Sequence, residues 1–129
     1  MKYFSLIFII FIVACTSAES TISKTGIDVI EFGSGGGITG QEETYSLFAD
    51  GKLSKKEKEI RKVDQKEVLQ LFEKAADLKE VNHQEPGNIY SFITIKSSEN
   101  THRIVWRPEK KPNSEEVIIL YNELKALIP

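Results

Sequence analysis

The segment TYSLFADGKL, residues 44–53, predicts a reversal of the chain between two β-strands. Tyr45, Leu47 and Ala49 recur at every second position, which places them on one face of a strand. Asp50-Gly51 then offers two residues that tolerate positive φ, as a type I′ hairpin turn requires. We therefore expect a hairpin here and, with it, an antiparallel sheet.

The charged segment after this turn, LSKKEKEIRKV (residues 53–63), allows two interpretations. Ser54 and Glu57 could begin a helix. Leu53 and Ile60 would give that helix too few apolar residues for a buried face. We favour a single charged strand, because dense Lys and Glu side chains protect a sheet edge against further pairing. A helix over residues 54–62 remains the alternative.

The remaining segments complete an α+β pattern. VDQKEVLQLFEKAADL (residues 63–78) predicts a helix with a capping box of Asp64 and Glu67. GIDVIEF before the hairpin, and NIYSFITIK and HRIVWR after the helix, predict strands, and a last helix follows Ser114. These elements predict an α+β fold, an antiparallel sheet of four or five strands with two amphipathic helices on one face. The apolar stripes of the two helices are Val68, Leu71, Phe72, Ala75 and Ala76, and Val117, Leu120, Tyr121, Leu124 and Leu127.

The amino-terminal segment MKYFSLIFIIFIVAC resembles a bacterial lipoprotein signal. Its apolar stretch is shorter than the roughly 20 residues that a membrane-spanning helix needs. The residues IVAC resemble the lipoprotein signal box, which ends in a lipid-modified cysteine, here Cys15, the only cysteine of the chain. We expect residues 1–14 to be a cleaved signal peptide, residues 15–25 a lipidated cysteine with a flexible tether, and residues 26–129 a single domain.

This resemblance implies a place in the bacterial cell envelope. The expected partner of Cys15 is a membrane, reached through attached acyl chains, two of which hold a protein stably. Thr16 is not the aspartate that commonly signals inner-membrane retention, so the outer membrane is favoured where two membranes exist. The alternative is an ordinary secreted protein whose cysteine is incidental.

Composition and motifs argue against nucleic-acid binding and catalysis. The chain carries 17 basic and 19 acidic residues, with both signs interspersed. Among candidate metal ligands, His83, His102 and Glu85 form no recognised zinc motif. The sequence has no G-x-S-x-G nucleophile motif, and we interpret Glu42-Glu43 as solvated residues on opposite faces of a strand. We expect no enzyme activity, no metal and no cofactor.

The glycine-rich segment FGSGGGITGQEETY (residues 32–45) contains the spacing Gly35-x-Gly37-x-x-Gly40, which in dinucleotide-binding proteins cradles a pyrophosphate. That site needs the last glycine to open a helix, and here it opens a strand. Glu42 and Glu43 would also repel a phosphate. We therefore expect no nucleotide.

The glycines have two other interpretations. Either they serve only a mobile hairpin connection, or they bring the backbone close to another molecule. SGGGITG, followed by YSFITI, HRIVW and LYNELKALI, resembles the emfourin family over residues 28–128, with Gly36-Gly37-x-x-Gly40 as its compact motif. That family inhibits thermolysin-like zinc metallopeptidases. In this chain Ile38 stands where the family commonly has an aromatic residue.

These observations predict a small membrane-anchored binding module. The resemblance implies a thermolysin-like metallopeptidase as its partner, and we expect residues 34–40 to make the contact. The residues of this candidate site are Gly36, Gly37, Ile38, Thr39 and Gly40, with Ile38 as the apolar side chain presented. The alternative for Ile38 is that it folds back onto the sheet. The alternative function is a structural envelope lipoprotein without a peptidase partner. Trp106, Tyr90 and Phe92 are expected in the core; if one is exposed, Trp106 beside Arg103 and Arg107 is the candidate contact.

Overall fold

A computed structural model of the chain describes residues 25–129. The predictions for the signal peptide, Cys15 and the tether up to residue 24 lie outside the described residues. Within residues 25–129, no helix is both long enough and apolar enough to cross a membrane. The elements in chain order are β1 (Ile27–Gly36), β2 (Glu42–Phe48), β3 (Lys52–Lys55), β4 (Lys58–Lys62), α1 (Gln65–Ala76), β5 (Ile89–Ser97), β6 (Thr101–Trp106) and α2 (Glu115–Ala126).

The strands form one antiparallel sheet in the order β4-β3-β2-β1-β5-β6. This confirms the α+β class, while the predicted number of four or five strands is wrong because the sheet has six. The extra strand comes from residues 52–62, which form a hairpin instead of one charged strand. Lys56 and Glu57 make its turn with φ values of 49° and 65°. Neither residue is a usual choice for positive φ, so the sequence gives no sign of the turn.

The chain reverses at Asp50-Gly51 as predicted, but the turn is not of the predicted type I′. Only Gly51 has positive φ, 95°, whereas a type I′ turn needs it at both central residues. The Asp50 carboxylate instead accepts a hydrogen bond from the Lys52 main-chain N–H at 3.0 Å. The connection therefore includes Ala49, and its last residue is a glycine in the left-handed region.

Alternating residues of the sheet and the apolar stripes of both helices form one core. Full burial of a Leu, Ile or Phe side chain contributes about 1.5–3 kcal/mol, so this cluster dominates the stability of the domain. The strand residues all point toward the helices; they are Ile30, Phe32, Leu47, Leu53, Ile93, Ile95, Ile104 and Trp106. The helix residues are Val68, Leu71, Phe72, Ala75, Val117, Leu120, Tyr121 and Leu124.

Both helices begin where the sequence places them, but α1 lacks the predicted capping bonds. Asp64 and Ser114 occupy the N-cap positions with extended backbone, and neither side chain hydrogen-bonds to its helix. The capping box of Asp64 and Glu67 is therefore wrong in its side-chain interactions. Acidic residues in the first turn of each helix remain favourable to the helix dipole.

The two ends of the sheet differ in what they present. β1 enters at Ile27, beside the 49–51 and 98–100 connections. Its ten residues, at about 3.3 Å each, carry the chain about 30 Å to the opposite end. We call that opposite end the loop end; it is formed by residues 37–41, 56–57 and 86–88.

Candidate partner-binding site

The glycine-rich segment is divided between a strand and a short connection. β1 continues through Gly36, so the prediction that the strand stops near Phe32 is wrong. Gly35 pairs with Glu42 on one side and with Tyr90 on the other, within the centre of the sheet. Only residues 37–41 link β1 to β2, and these residues are the tip of the candidate site.

This connection is a hydrogen-bonded turn. The Gly40 N–H donates to the Gly37 carbonyl at 3.2 Å, and the Gly36 N–H donates to the Gln41 carbonyl at 3.2 Å. The Gly37 N–H also donates to the Asn88 carbonyl at 2.6 Å, which ties the turn to the segment before β5. Gly37 and Gly40 have φ values of 81° and 64°, which glycine adopts without steric cost. The glycines thus give the turn a defined path.

Ile38 is fully exposed at the tip of the turn, with a relative accessibility of 107%. The alternative in which its side chain folds back onto the sheet is therefore wrong. Ile89, which pairs with Gly36, is also exposed at this end, at 59%. Single exposed apolar residues are common, but the loop end carries two of the three large apolar side chains exposed among residues 25–129; the third is Ile119.

A polar cluster lies next to the turn, on the face of the sheet away from the helices. Glu42 accepts hydrogen bonds from Arg103 at 2.9 Å and from the Tyr90 hydroxyl at 2.7 Å. The Arg103 guanidinium also lies 4.3 Å from the centre of the buried Phe92 ring, a cation–π distance. The cluster joins β2, β5 and β6 beside the connection.

The surroundings of Glu42 change its acidity. Partial burial opposes ionisation, but the hydrogen bonds from Arg103 and Tyr90 together outweigh it and lower the pKa of the carboxyl. The same hydrogen bond raises the pKa of Tyr90, because its proton is held by a carboxylate, and burial adds to this effect. Glu42 is therefore ionised, and Tyr90 protonated, across the neutral pH range.

Gly35 makes this cluster possible. A Cβ atom built on Gly35 would lie 2.5 Å from the Tyr90 hydroxyl oxygen and 2.6 Å from its ring carbon Cζ. The Tyr90 side chain therefore crosses β1 above a position without a side chain and reaches Glu42 on the far side. The cluster was not predicted from the sequence because Glu42 and Arg103 are 61 residues apart and meet only through the pairing of β1 with both β2 and β5.

Glu43 lies on the other face, which confirms the prediction that Glu42 and Glu43 point in opposite directions. Its carboxylate forms an ion pair with Lys55 and accepts a hydrogen bond from the Tyr45 hydroxyl at 2.9 Å. The hydrogen bond from Lys55 is the main reason that the pKa of Glu43 is lowered. Both carboxylates are thus paired, so their interpretation as solvated residues is wrong.

The other residues considered from the sequence lie elsewhere. Trp106 is buried, with its ring centre 5.0 Å from that of Tyr121, so it offers no contact surface. His83 and His102 contact main-chain carbonyls, of Lys110 at 3.2 Å and of Val81 at 2.8 Å. Within the part of the chain that the structure describes, no three His, Cys, Asp or Glu side chains are grouped so that they could hold a metal ion.

The loop end presents two exposed isoleucines, main-chain groups of a glycine turn, and paired charges that hold the base of the turn. Comparison of the chain with protein-family models and with curated proteins gave no match.

Proposed function

We propose that the protein is a membrane-anchored, non-enzymatic binding module whose residues 37–41 contact a protein partner. The observation that carries this proposal is the full exposure of Ile38 at the tip of a hydrogen-bonded turn. When a partner buries exposed apolar surface, the binding free energy becomes more favourable by about 25 cal/mol per Å² removed from water. Ile38 would be the side chain that enters a pocket of the partner.

The hydrogen bonds of the turn support the same role. A loop that is already ordered loses less conformational entropy on binding than a mobile one. The bond from Gly37 to Asn88 and the neighbouring cluster around Glu42 hold both sides of the turn. Gly37 and Gly40 carry no Cβ atom, so a partner can approach the backbone on either side of Ile38.

The resemblance to the emfourin family suggests the partner, a thermolysin-like zinc metallopeptidase. In this proposal the turn blocks the entrance of the active-site cleft and the protein acts as an inhibitor. The resemblance rests on the motif Gly36-Gly37-x-x-Gly40. Ile38 lies within this motif, and a contact with the cleft would require its side chain to be exposed, as it is.

The Ile38→Asp substitution tests this proposal. We expect the purified chain from residue 16 onward to inhibit a thermolysin-like peptidase, and the variant to inhibit it at least about tenfold more weakly, since a charge in an apolar pocket costs more than the roughly 1.4 kcal/mol that a factor of ten represents. The measurement is the inhibition constant against a panel of metallopeptidases.

Ile119→Asp is the matched control, because Ile119 is half exposed on α2, away from the turn. It should leave inhibition unchanged, and both variants should keep the melting temperature of the parent chain. If the parent chain inhibits no thermolysin-like enzyme, the peptidase partner is rejected and the envelope component without such a partner becomes the better interpretation. If Ile38→Asp inhibits as well as the parent, the turn is not the contact.

We further propose that Cys15 carries the lipid anchor and that the protein resides in the bacterial cell envelope, on the outer membrane where two membranes exist. Cells given a radioactive or clickable palmitate should label the parent protein, and Cys15→Ser should remove the label because no other cysteine is present. Ser20→Ala, a change within the expected tether, should label normally. Equal labelling of Cys15→Ser would reject the anchor.

A further inference from the structure

The β3–β4 hairpin, residues 52–62, concentrates positive charge at one edge of the sheet. It contains six basic and two acidic residues, a net charge of +4, although the whole chain has a net charge of −2. The other residues include 11 basic and 17 acidic side chains, so their net charge is −6. In the fold the hairpin, a contiguous segment, forms one edge of the sheet, which is therefore basic. Its basic residues are Lys52, Lys55, Lys56, Lys58, Arg61 and Lys62.

Half of these basic residues already have partners. Lys55 pairs with Glu43, Lys52 lies 5.2 Å from the centre of the Phe48 ring, and Arg61 donates to the Leu127 carbonyl at 3.0 Å.

The other three are Lys56, Lys58 and Lys62. They are exposed, and within residues 25–129 none of them forms an ion pair or a side-chain hydrogen bond. Three exposed ammonium groups without an ion-pair partner among the described residues therefore lie along the turn and β4, the outermost strand.

β4 also has an unpaired main-chain edge. Among the described residues it pairs only with β3, so the N–H and C=O groups on its other side have no strand partner. An extended peptide can add to such an edge, with main-chain hydrogen bonds supplying affinity and side chains supplying selectivity. Ile60, which the register shift between β3 and β4 leaves without a partner in β3, is half-buried against the core and anchors the strand there.

A second copy of this chain fits the edge poorly. Antiparallel pairing of two β4 strands about Ile60 would place Lys58 opposite Lys62 twice. Like charges directly opposite each other destabilise a strand pair. Parallel pairing in register would place every lysine beside its own copy. In both of these registers the charges disfavour a second copy and favour a strand of opposite sign.

We infer that the β4 edge binds an extended acidic segment of another protein, which adds to the sheet as a seventh strand. Its carboxylates would pair with Lys56, Lys58 and Lys62, while its main chain would pair with β4. An anionic lipid surface would also attract these lysines, but it would leave the main-chain groups of β4 unpaired. The combination of charge and open backbone therefore favours the acidic strand.

Hydrogen exchange of the full chain, held in zwitterionic detergent micelles, tests this inference. The probe is a short peptide of alternating Thr and Glu with blocked ends, and its control is the matching peptide of alternating Thr and Lys. The Thr-Glu peptide should slow amide exchange in β4, with no change in β6 at the other edge. The Thr-Lys peptide should slow neither strand.

A charge-reversed double variant, Lys58→Glu with Lys62→Glu, gives the sharper result. It should bind the Thr-Glu peptide at least about tenfold more weakly and should gain protection in β4 from the Thr-Lys peptide, because its edge is now acidic. Both lysines are exposed, so the melting temperature should be kept. If charge reversal impairs folding, Lys58→Gln with Lys62→Gln replaces it. This variant should bind the Thr-Glu peptide more weakly and should not bind the Thr-Lys peptide.

Three results would overturn the inference. One is unchanged exchange in β4 at saturating Thr-Glu peptide. Another is equal protection by both peptides, which would show pairing without charge selection. The third is lysine-dependent binding to phosphatidylglycerol vesicles but not to phosphatidylcholine vesicles, together with no protection of β4 by the Thr-Glu peptide. That result would show that the basic edge binds lipid.

Discussion

Replacing Gly36 by Ala should lower the free energy of unfolding by about 2–4 kcal/mol. Gly36 has a φ of 89°, and a Cβ atom at this position would lie 1.8 Å from the Asn88 carbonyl oxygen. The added methyl group would force apart β1 and β5, which pair here, and would disturb the hydrogen bond from Gly37 to Asn88. Urea unfolding of the purified domain measures the loss.

Gly37→Ala and Gly40→Ala are the matched controls. Both glycines have positive φ, but a Cβ atom built on either has no neighbour within 4 Å. Each substitution should therefore lower the free energy of unfolding by only about 1–2 kcal/mol, the cost of the left-handed conformation for a residue with a Cβ atom. A loss for Gly36→Ala no larger than that of the two controls would mean that the backbone at Asn88 yields, and that the turn is less firmly held than its hydrogen bonds indicate.

Replacing Gly51 by Val should also cost about 2–4 kcal/mol, more than the turn alone would require. Gly51 has a φ of 95°, and its Cβ would lie 2.4 Å from the Val63 carbonyl oxygen. The Val63 N–H donates to the Gly51 carbonyl at 2.7 Å, so the two backbones are in direct contact. A branched side chain would separate the β2–β3 turn from the segment that begins α1. The measurement is the shift in the thermal unfolding midpoint.

Asp50→Ala controls for this substitution within the same turn. Asp50 has no positive φ and contributes one hydrogen bond, to the Lys52 N–H. Its loss should cost about 0.5–1.5 kcal/mol. An unchanged melting temperature for Gly51→Val would contradict the turn as the structure has it.

The fold could be predicted from the sequence wherever apolar periodicity and turn residues agree. The stripe that includes Val68 and Phe72 predicted a helix over residues 63–78, which contains α1 and exceeds it by two residues at each end. The apolar runs NIYSFITIK and HRIVWR predicted β5 and β6. The β3–β4 hairpin could not be predicted, because Lys56-Glu57 reverses the chain without a glycine, asparagine or aspartate. Such a turn is imposed by the strands on either side, which is a tertiary effect.

The candidate site could be predicted only in part, for a related reason. The exposure of Ile38 follows from its glycine neighbours, which offer no local surface to cover it. The cluster of Glu42, Tyr90 and Arg103 depends instead on which strands lie side by side. Strand order is decided by the whole sheet, and no local pattern records that β1 separates Glu42 from Tyr90 and leaves Gly35 as the gap between them.

β1 acts as a spacer as well as a central strand. The chain enters it at Ile27, and Ile38 lies beyond its far end, about 30 Å away. With Cys15 lipidated as proposed, the eleven residues 15–25 could extend over at most roughly 40 Å. The tip that carries Ile38 could then lie at most roughly 70 Å from the bilayer, the combined length of the extended tether and β1. The protein could bind only a partner whose pocket lies within that distance of the membrane. The anchor would thus restrict the choice of partner independently of any side-chain contact.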